Sequence, residues 1–396
     1  MCALGVAQIT AWGTSYYCLG VLAGPIAHDT GWSTSLVYFG FTVALLAMGV
    51  VSPSVGRAID RHGARPVMVL GTVLVSAGLY ALALATSEAA YLAVWAFLGV
   101  AMRLCLYDAA FAALVQVVPS RGRLAISYLT LFGAFASTVF WVIGHYLNEA
   151  AGWRQTLAIF AVINLAVCLP LNWLGLARHE AARHEDRRGA AQEARDGPPL
   201  EGAARKLAMA LFALVMSFNA FVFGVVTVQL VPLLEAAGLA TATAVWVASM
   251  KGFAQFGGRV VEILFAQNLR SITVARIAVG LLPLSFLLLV AAGGSFALVL
   301  AFTLLMGASQ GVITIVRGAL PLALFGATGY ATVLGLIATP VLIVNAAAPT
   351  LFSMIVEQWG WRAAEIALVA CAGAAWLALE LMSYWYGRRR QAAPAG

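Results

Sequence analysis

The sequence predicts an all-α integral membrane protein, with twelve transmembrane helices in two six-helix bundles related by pseudo-two-fold symmetry. Three observations carry this expectation. First, 62% of the 396 residues are hydrophobic and only 10% are charged, with a mean hydropathy of +0.92. Soluble domains carry about 25% charged residues, so this chain has too few polar groups to cover a water-facing surface. Second, outside 178–206 nearly the whole chain falls into apolar runs of 20 or more residues, the length of a membrane-spanning helix. The ten-residue alternating segments of a membrane β-barrel are missing. Third, landmarks recur along the chain. Gly31 stands 25 residues before Gly56 and Gly238 stands 25 before Ile263, at an offset of 207; Gly152-Trp153-Arg154 recurs as Gly360-Trp361-Arg362, at an offset of 208. Two markers agreeing within one residue indicate a duplicated six-helix unit.

In chain order, the apolar runs place helices at 2–25, 34–56, 66–86, 88–115, 124–148 and 153–177, and again at 207–235, 240–267, 271–292, 295–320, 328–356 and 361–386. The organisation is a first bundle at 1–177, a linker at 178–206, and a second bundle at 207–396 ending in a short basic tail. The linker mixes seven basic and six acidic residues with alanine, so it has no face to bury and reads as a short surface helix followed by a flexible connection. Its His179 and His184 are five apart, off the spacing that would put two metal ligands on one helix face. The first apolar run has no basic leader, so no cleavable signal peptide is read.

The net charge of +7 is not a nucleic-acid signature, because the basic residues sort by topology. With both termini in the cytoplasm, 17 of the 23 Lys and Arg fall in cytoplasmic segments and only Arg154 and Arg362 fall outside, as the positive-inside rule requires of an inner-membrane protein. The remaining four, Arg103, Lys251, Arg259 and Arg317, lie inside apolar runs. Five cysteines stand singly without a CxxC pair, suggesting neither a disulfide framework nor a zinc site.

The turn Gly56-Arg57-Ala58-Ile59-Asp60-Arg61-His62-Gly63-Ala64-Arg65-Pro66 separates the second and third apolar runs. Its spacing Gly-x-x-x-Asp-Arg-x-Gly-x-Arg resembles the loop between the second and third helices of the major facilitator superfamily. The resemblance covers essentially the whole chain, and it implies twelve helices and a cytoplasmic gate built on Gly56, Asp60, Arg61, Gly63 and Arg65. Gly56 would let two helices approach, Gly63 would supply a positive φ, and the charged residues would clasp a neighbouring helix end. The second half departs from the pattern: Ile263, Gln267 and Asn268 stand at the corresponding positions, so the gate would be carried by the first half.

Charges inside membrane spans are costly, and each is a functional candidate. Arg103 lies mid-way along the fourth helix with Tyr107 one turn on. On a continuous helix Asp108 is rotated about 140° from Arg103 and displaced about 7.5 Å, which predicts a shared water-filled cavity without a simple pair. The resemblance implies that the first, fourth, seventh and tenth helices line the central cavity. On the first, Gln8, Trp12, Ser15 and Tyr16 form a stripe; on the seventh, Ser217, Asn219, Thr227 and Gln229 are the polar content. Gln310 on the tenth is the offset-207 counterpart of Arg103. Substrate contacts are therefore expected from Arg103, Tyr16, Trp12, Tyr107, Gln310, Asn219 and Lys251. Proton carriage is expected from Asp108 first and Glu262 second, with Arg259, Arg317 and His145 completing a charge network. For Arg103–Asp108 and for Arg259–Glu262, a purely structural ion pair is the alternative.

Interior bases exceed interior acids, favouring an anionic substrate in a low-dielectric cavity. The expected function is secondary active transport of a small solute by alternating access, proton-coupled and leaning to a carboxylate-type anion, with no cofactor, no resident metal and a monomeric chain. A heavy-metal or metalloid carrier (arsenite efflux or copper uptake) is the alternative. Cys18 and Cys105 lie on expected lining helices, with Met102 near, but no helix face carries paired soft ligands. Drug or metabolite efflux is a further alternative, and a non-transporting sensor ranks lower because neither terminus has room for a soluble domain. There is no Walker sequence for direct ATP drive, and the lone intramembrane His145 does not supply an enzyme's convergent set.

Overall fold

The computed structural model describes residues 2–177 and 196–392; the surface-helix reading of the linker, with His179 and His184, lies outside the described residues. Those residues are almost wholly helical, without a strand. Two compact units form, Met1–Ala190 with Ala327–Thr339, and Ala191–Gly326 with Pro340–Gly396. Large apolar side chains point outward along the helices: Val50, Phe253 and Phe265 are each more than 70% exposed. A surface of that kind suits lipid and would be insoluble in water.

The first unit begins with α1 (Cys2–Ala11), a π-helical turn (Trp12–Tyr16) and α2 (Leu19–Thr30), where the sequence predicts one helix ending near 25. The interruption has a local cause. Thr14 and Ser15 hydroxyls donate back to the carbonyls of Thr10 and Ala11 at 2.7 and 2.5 Å, the back-bonding that loosens a helical turn. A second π turn at Asn164–Cys168 faces the first, and Asn164 Nδ2 donates to Thr14 Oγ1 at 2.6 Å. Next come α3 (Thr34–His62) and α4 (Ala64–Ala83). The predicted fourth helix is two, α5 (Glu88–Cys105) and α6 (Tyr107–Val117), parted at Leu106, whose ψ of −165° is extended. After α7 (Gly122–Gly133), α8 runs over Ala136–Ile163 and α9 over Leu169–Ala177.

In the second unit α10 (Gly202–Ala236) starts five residues before its predicted position, followed by α11 (Thr241–Phe265), α12 (Ser271–Val290) and α13 (Phe296–Phe325). The last helical run, α14, extends from Tyr330 to Ala392, and its first turns, up to Thr339, group with the first unit. The end of the predicted flexible linker is anchored: Asp196 is buried and accepts from the backbone N–H and the hydroxyl of Ser271, both at 2.9 Å, thereby capping α12.

Among the described residues, eight helices are long and apolar enough to cross a membrane. Two of them, Gly122–Leu176 and Tyr330–Arg388, reach 55 and 59 residues, well beyond the roughly 20 that a bilayer requires. Each is broken at a left-handed glycine, Gly152 (φ 81°) and Gly360 (φ 78°). α11 falls outside the eight; it carries Lys251, Arg259 and Glu262.

The internal repeat reaches atomic detail within each unit. Arg154 donates to the carbonyls of Ala83 and Ala85 at the C-terminus of α4, both at 2.9 Å. Arg362, 208 residues later, donates to Val290 O at the C-terminus of α12, at 2.7 Å. Gly99 on α5 lies against the backbone of Ala44 on α3, and Gly307 on α13 against the backbone of Lys251 on α11, so each unit packs one helix pair backbone to backbone through the same glycine. That register, 208 for the glycines, makes Gly311 the counterpart of Arg103 and puts Gln310 one position off.

Candidate functional site

The α3–α4 turn is built by short-range constraints. Gly63 closes α3 at φ 82°, and its N–H donates to Ile59 O at 2.9 Å. The Gln116 side chain on α6 then holds both sides of the turn, accepting from Ala64 N–H at 2.9 Å and donating to Ile59 O at 3.2 Å. Asp60, thus positioned, accepts three hydrogen bonds from the first turn of α14: Ala331 N–H at 3.2 Å, Thr332 N–H at 2.8 Å and the Thr332 hydroxyl at 2.5 Å. Four N–H groups at any helix start lack intrahelical partners, and the helix dipole favours negative charge there, so a carboxylate from α3 caps α14. The crossing is close because Gly56 lies against the carbonyl of Ala331, and Gly335 against that of Ser52. Thr339 adds a hydrogen bond to Gly49 O at 2.9 Å. Arg65 stacks its guanidinium 4.6 Å above the Trp173 ring, and Arg61 is exposed.

Immediately inward lies the Arg103–Asp108 ion pair, with both side chains about 95% buried. The expectation that the two groups do not pair directly is corrected: the ion pair kept as the alternative forms. That expectation assumed a continuous helix, and the break at Leu106 turns Asp108 back toward Arg103 until the two charged groups meet. The pair sits in a small cleft with Val55, Gly56, Ile59, Ala109 and Ala331, one turn from the Asp60 cap. Breaking α5 from α6 leaves the Cys105 carbonyl without its usual helical donor, and the Gln8 side-chain amide supplies one at 2.8 Å.

Around that break the aromatic residues converge. Trp12 lies 4.7 Å from both Tyr16 and Tyr107, centroid to centroid; Tyr107 stacks on Phe111 at 5.3 Å, and Tyr16 meets Phe41 edge-on at 4.8 Å. Gln8 Oε1 and Trp12 Nε1 are buried without a hydrogen-bond partner, a donor and an acceptor one helical turn apart on α1.

In the second unit Gln255 Nε2 and Gln310 Oε1 lie 3.4 Å apart, and Arg259 Nε donates to Gly311 O at 3.3 Å. Arg259 and Glu262 are both buried. Where the first unit places a guanidinium on its fourth span, the second presents one to the equivalent backbone position from the neighbouring helix. Lys251 Nζ lies 5.7 Å from the centre of the Phe223 ring. Asn219 is buried and donates to Val215 O at 2.9 Å. Arg317 is half-buried on α13. His145 pairs with Glu149 at 3.4 Å, both about 60% exposed, on the exterior of α8 and apart from the Arg103–Asp108 cluster. Among the described residues no three His, Cys, Asp or Glu converge as metal ligands.

Gln116, Thr332 and Gly335 were not legible as site residues. Gln116 is a lone amide in an apolar run, and Thr332 acquires meaning only when a distant carboxylate reaches it.

Residues 5–304 match the sequence profile described as Major Facilitator Superfamily. A relative from Bacillus subtilis (strain 168), described as the uncharacterized MFS-type transporter YcxA, is 26% identical over 165 residues; that alignment covers 41% of this chain and 40% of the relative, less than half the length of either. Among solved structures, the human organic anion transporter MFSD10 (TETRAN) superposes with a TM-score of 0.75 at 16% identity, covering 96% of this chain and 98% of that one. The proton:xylose symporter XylE bound to 6-bromo-6-deoxy-D-glucose gives 0.72 at 13% identity, covering 95% and 93%. FucP in its outward conformation gives 0.71 at 14% identity, covering 96% and 98%. At these identities the likeness is one of fold.

Proposed function

The chain belongs to the Major Facilitator Superfamily, and we propose that it is a secondary active transporter that moves a small organic anion together with a proton by alternating access. On this reading it crosses the inner membrane twelve times, with both termini in the cytoplasm. The observation that carries the proposal is the buried Arg103–Asp108 pair beside the α3–α14 crossing. A buried ion pair stabilises little by itself and is costly once one partner loses its charge. Protonating Asp108 would therefore remove the counter-charge that Arg103 meets in this pair. A carboxylate entering from the solvent would restore neutrality, so proton and anion would load together and neither would load well alone. Glu262, buried on α11 beside Arg259, is the second candidate carrier.

The aromatic wall of Trp12, Tyr16 and Tyr107 would pack the organic body of the substrate; within the second unit, Gln310, Asn219 and Lys251 are the candidate polar contacts. Two structural relatives lend support through what is said of them: MFSD10 is an organic anion transporter, and XylE is a proton symporter. The Asp60 cap on α14 serves as the cytoplasmic latch, which must open for the first turn of α14 to move.

The test is uptake into proteoliposomes of a panel of labelled carboxylates, organic cations and sugars, with and without an inwardly directed proton gradient. The reading requires carboxylate uptake that the gradient accelerates, and that Asp108→Asn uncouples from the gradient. Uptake of cations or sugars alone would sink the anion assignment; carboxylate uptake indifferent to the gradient in wild type would sink the coupling.

A further inference from the structure

We infer a binding site for a phosphate-bearing anion in the cavity between the α3–α4 turn and the ends of α6 and α9. The site is separate from the Arg103–Asp108 pair and independent of what the protein carries. The cavity measures about 560 Å³ and is lined by Asp60, Arg61, His62, Arg65, Gln116 and Trp173.

Its electrostatics are one-sided. The single carboxylate is already committed, since both oxygens of Asp60 accept from the first turn of α14. Among the described residues, neither Arg61 nor Arg65 forms an ion pair. Arg65 lies over the Trp173 ring, and its Nε is buried with no acceptor, so one N–H of the planar fork is desolvated and unused. A fork of this kind matches the oxygens of a phosphate in bidentate fashion. His62 engages its own helix, with Nδ1 3.1 Å from Ala58 O, and so adds no counter-charge. The turn is also preorganised, because Gln116 fixes it from both sides.

The surroundings indicate where the anion comes from. Trp173, which lines the cavity, and its neighbour Leu174 on α9 are 51% and 58% exposed. An acyl chain can lie against that apolar strip while its headgroup enters the basic cavity, an arrangement typical of interfacial aromatic and basic anchors. A soluble phosphate ester offers the same chemistry without the chain, and the experiment separates the two.

The full chain in neutral detergent is titrated with short-chain phosphatidylglycerol, phosphatidylcholine of the same chain length, or glycerol 1-phosphate, with bound adducts read by native mass spectrometry. Wild type is expected to bind phosphatidylglycerol at least 10-fold more tightly than phosphatidylcholine. The double substitution R61Q/R65Q should lose that preference, and R61K/R65K should keep most of it. Displacement of the lipid by glycerol 1-phosphate would show that phosphate alone suffices; retention would assign the ligand to the bilayer. Equal phosphatidylglycerol affinity in wild type and R61Q/R65Q, or no discrimination between the two lipids, overturns the site. Each variant's melting temperature is measured in parallel, and the exposed single substitution R61Q supplies the comparison if the double one does not fold.

Discussion

The Gln8 side chain donates a 2.8 Å hydrogen bond to the backbone carbonyl of Cys105, 97 positions away. That contact permits the fourth span to break at Leu106 inside the bundle, where no water replaces a lost helical bond. Replacing Gln8 by Leu leaves the carbonyl buried and unsatisfied, at a cost of about 1–3 kcal/mol. Thermal unfolding in detergent should show a clear drop for Gln8→Leu and a similar one for Gln8→Asn, which is too short to reach. An unchanged melting temperature for both would mean that the break is held elsewhere.

Arg103 and Asp108 invite a double-mutant cycle. Asp108→Asn or Arg103→Gln alone strands a buried charge, with an expected loss of about 3–5 kcal/mol; replacing both removes the uncompensated charge and should recover much of it. The coupling energy from the four unfolding curves is the readout. Additive losses would show that each group is satisfied chiefly by partners other than the other.

Much of this architecture is legible in the sequence. Composition and run length specify a helical membrane protein, and the recurrence of Gly152-Trp153-Arg154 as Gly360-Trp361-Arg362 exposes the duplication, because glycine and arginine are needed at the same helix junction in both halves. The Gly56–Pro66 turn was legible because a positive φ and a close helix approach each demand glycine. What failed was the geometry around Asp108. Periodicity assumes an unbroken helix, and nothing between Cys105 and Tyr107 announces a break: neither proline nor glycine is there, and the stabilising amide comes from Gln8 on another helix. The offset of 207 likewise selected Gln310, whereas Gly99 and Gly307 stand 208 apart and their backbone partners Ala44 and Lys251 stand 207 apart, so the offset shifts by one between helices.

Gly99 and Gly307 make that register testable. A Cβ on Gly99 would collide with the Ala44 carbonyl, and one on Gly307 would come within 2.8 Å of the Lys251 carbonyl oxygen. Backbone cannot move aside as a flexible side chain can, so Gly99→Val and Gly307→Val should each destabilise by about 1–3 kcal/mol or more. Gly252→Val is the control, because a Cβ there meets nothing within 4 Å. Similar losses at 99 and 307 with little change at 252 are expected in thermal unfolding. A tolerant Gly307 would break the equivalence of the two helix pairs.

The Asp60 cap predicts a local effect more than a global one. Asp60 is exposed, and a capping carboxylate contributes roughly 0.5–2 kcal/mol, so Asp60→Ala should lower the melting temperature only modestly. The three bonds it makes all end on Ala331 and Thr332, and that turn should feel their loss directly. Hydrogen exchange of a peptide covering 329–335 should accelerate by about tenfold, the equivalent of about 1.4 kcal/mol of lost protection. Asp60→Asn should fall between wild type and Ala, since its amide oxygen still accepts but carries no charge for the helix dipole. Thr332→Val, which removes one of the three bonds, should also be intermediate. If exchange in 329–335 stays at the wild-type rate in Asp60→Ala, the α3–α14 crossing is held by the Gly56 and Gly335 contacts and the carboxylate is not the latch.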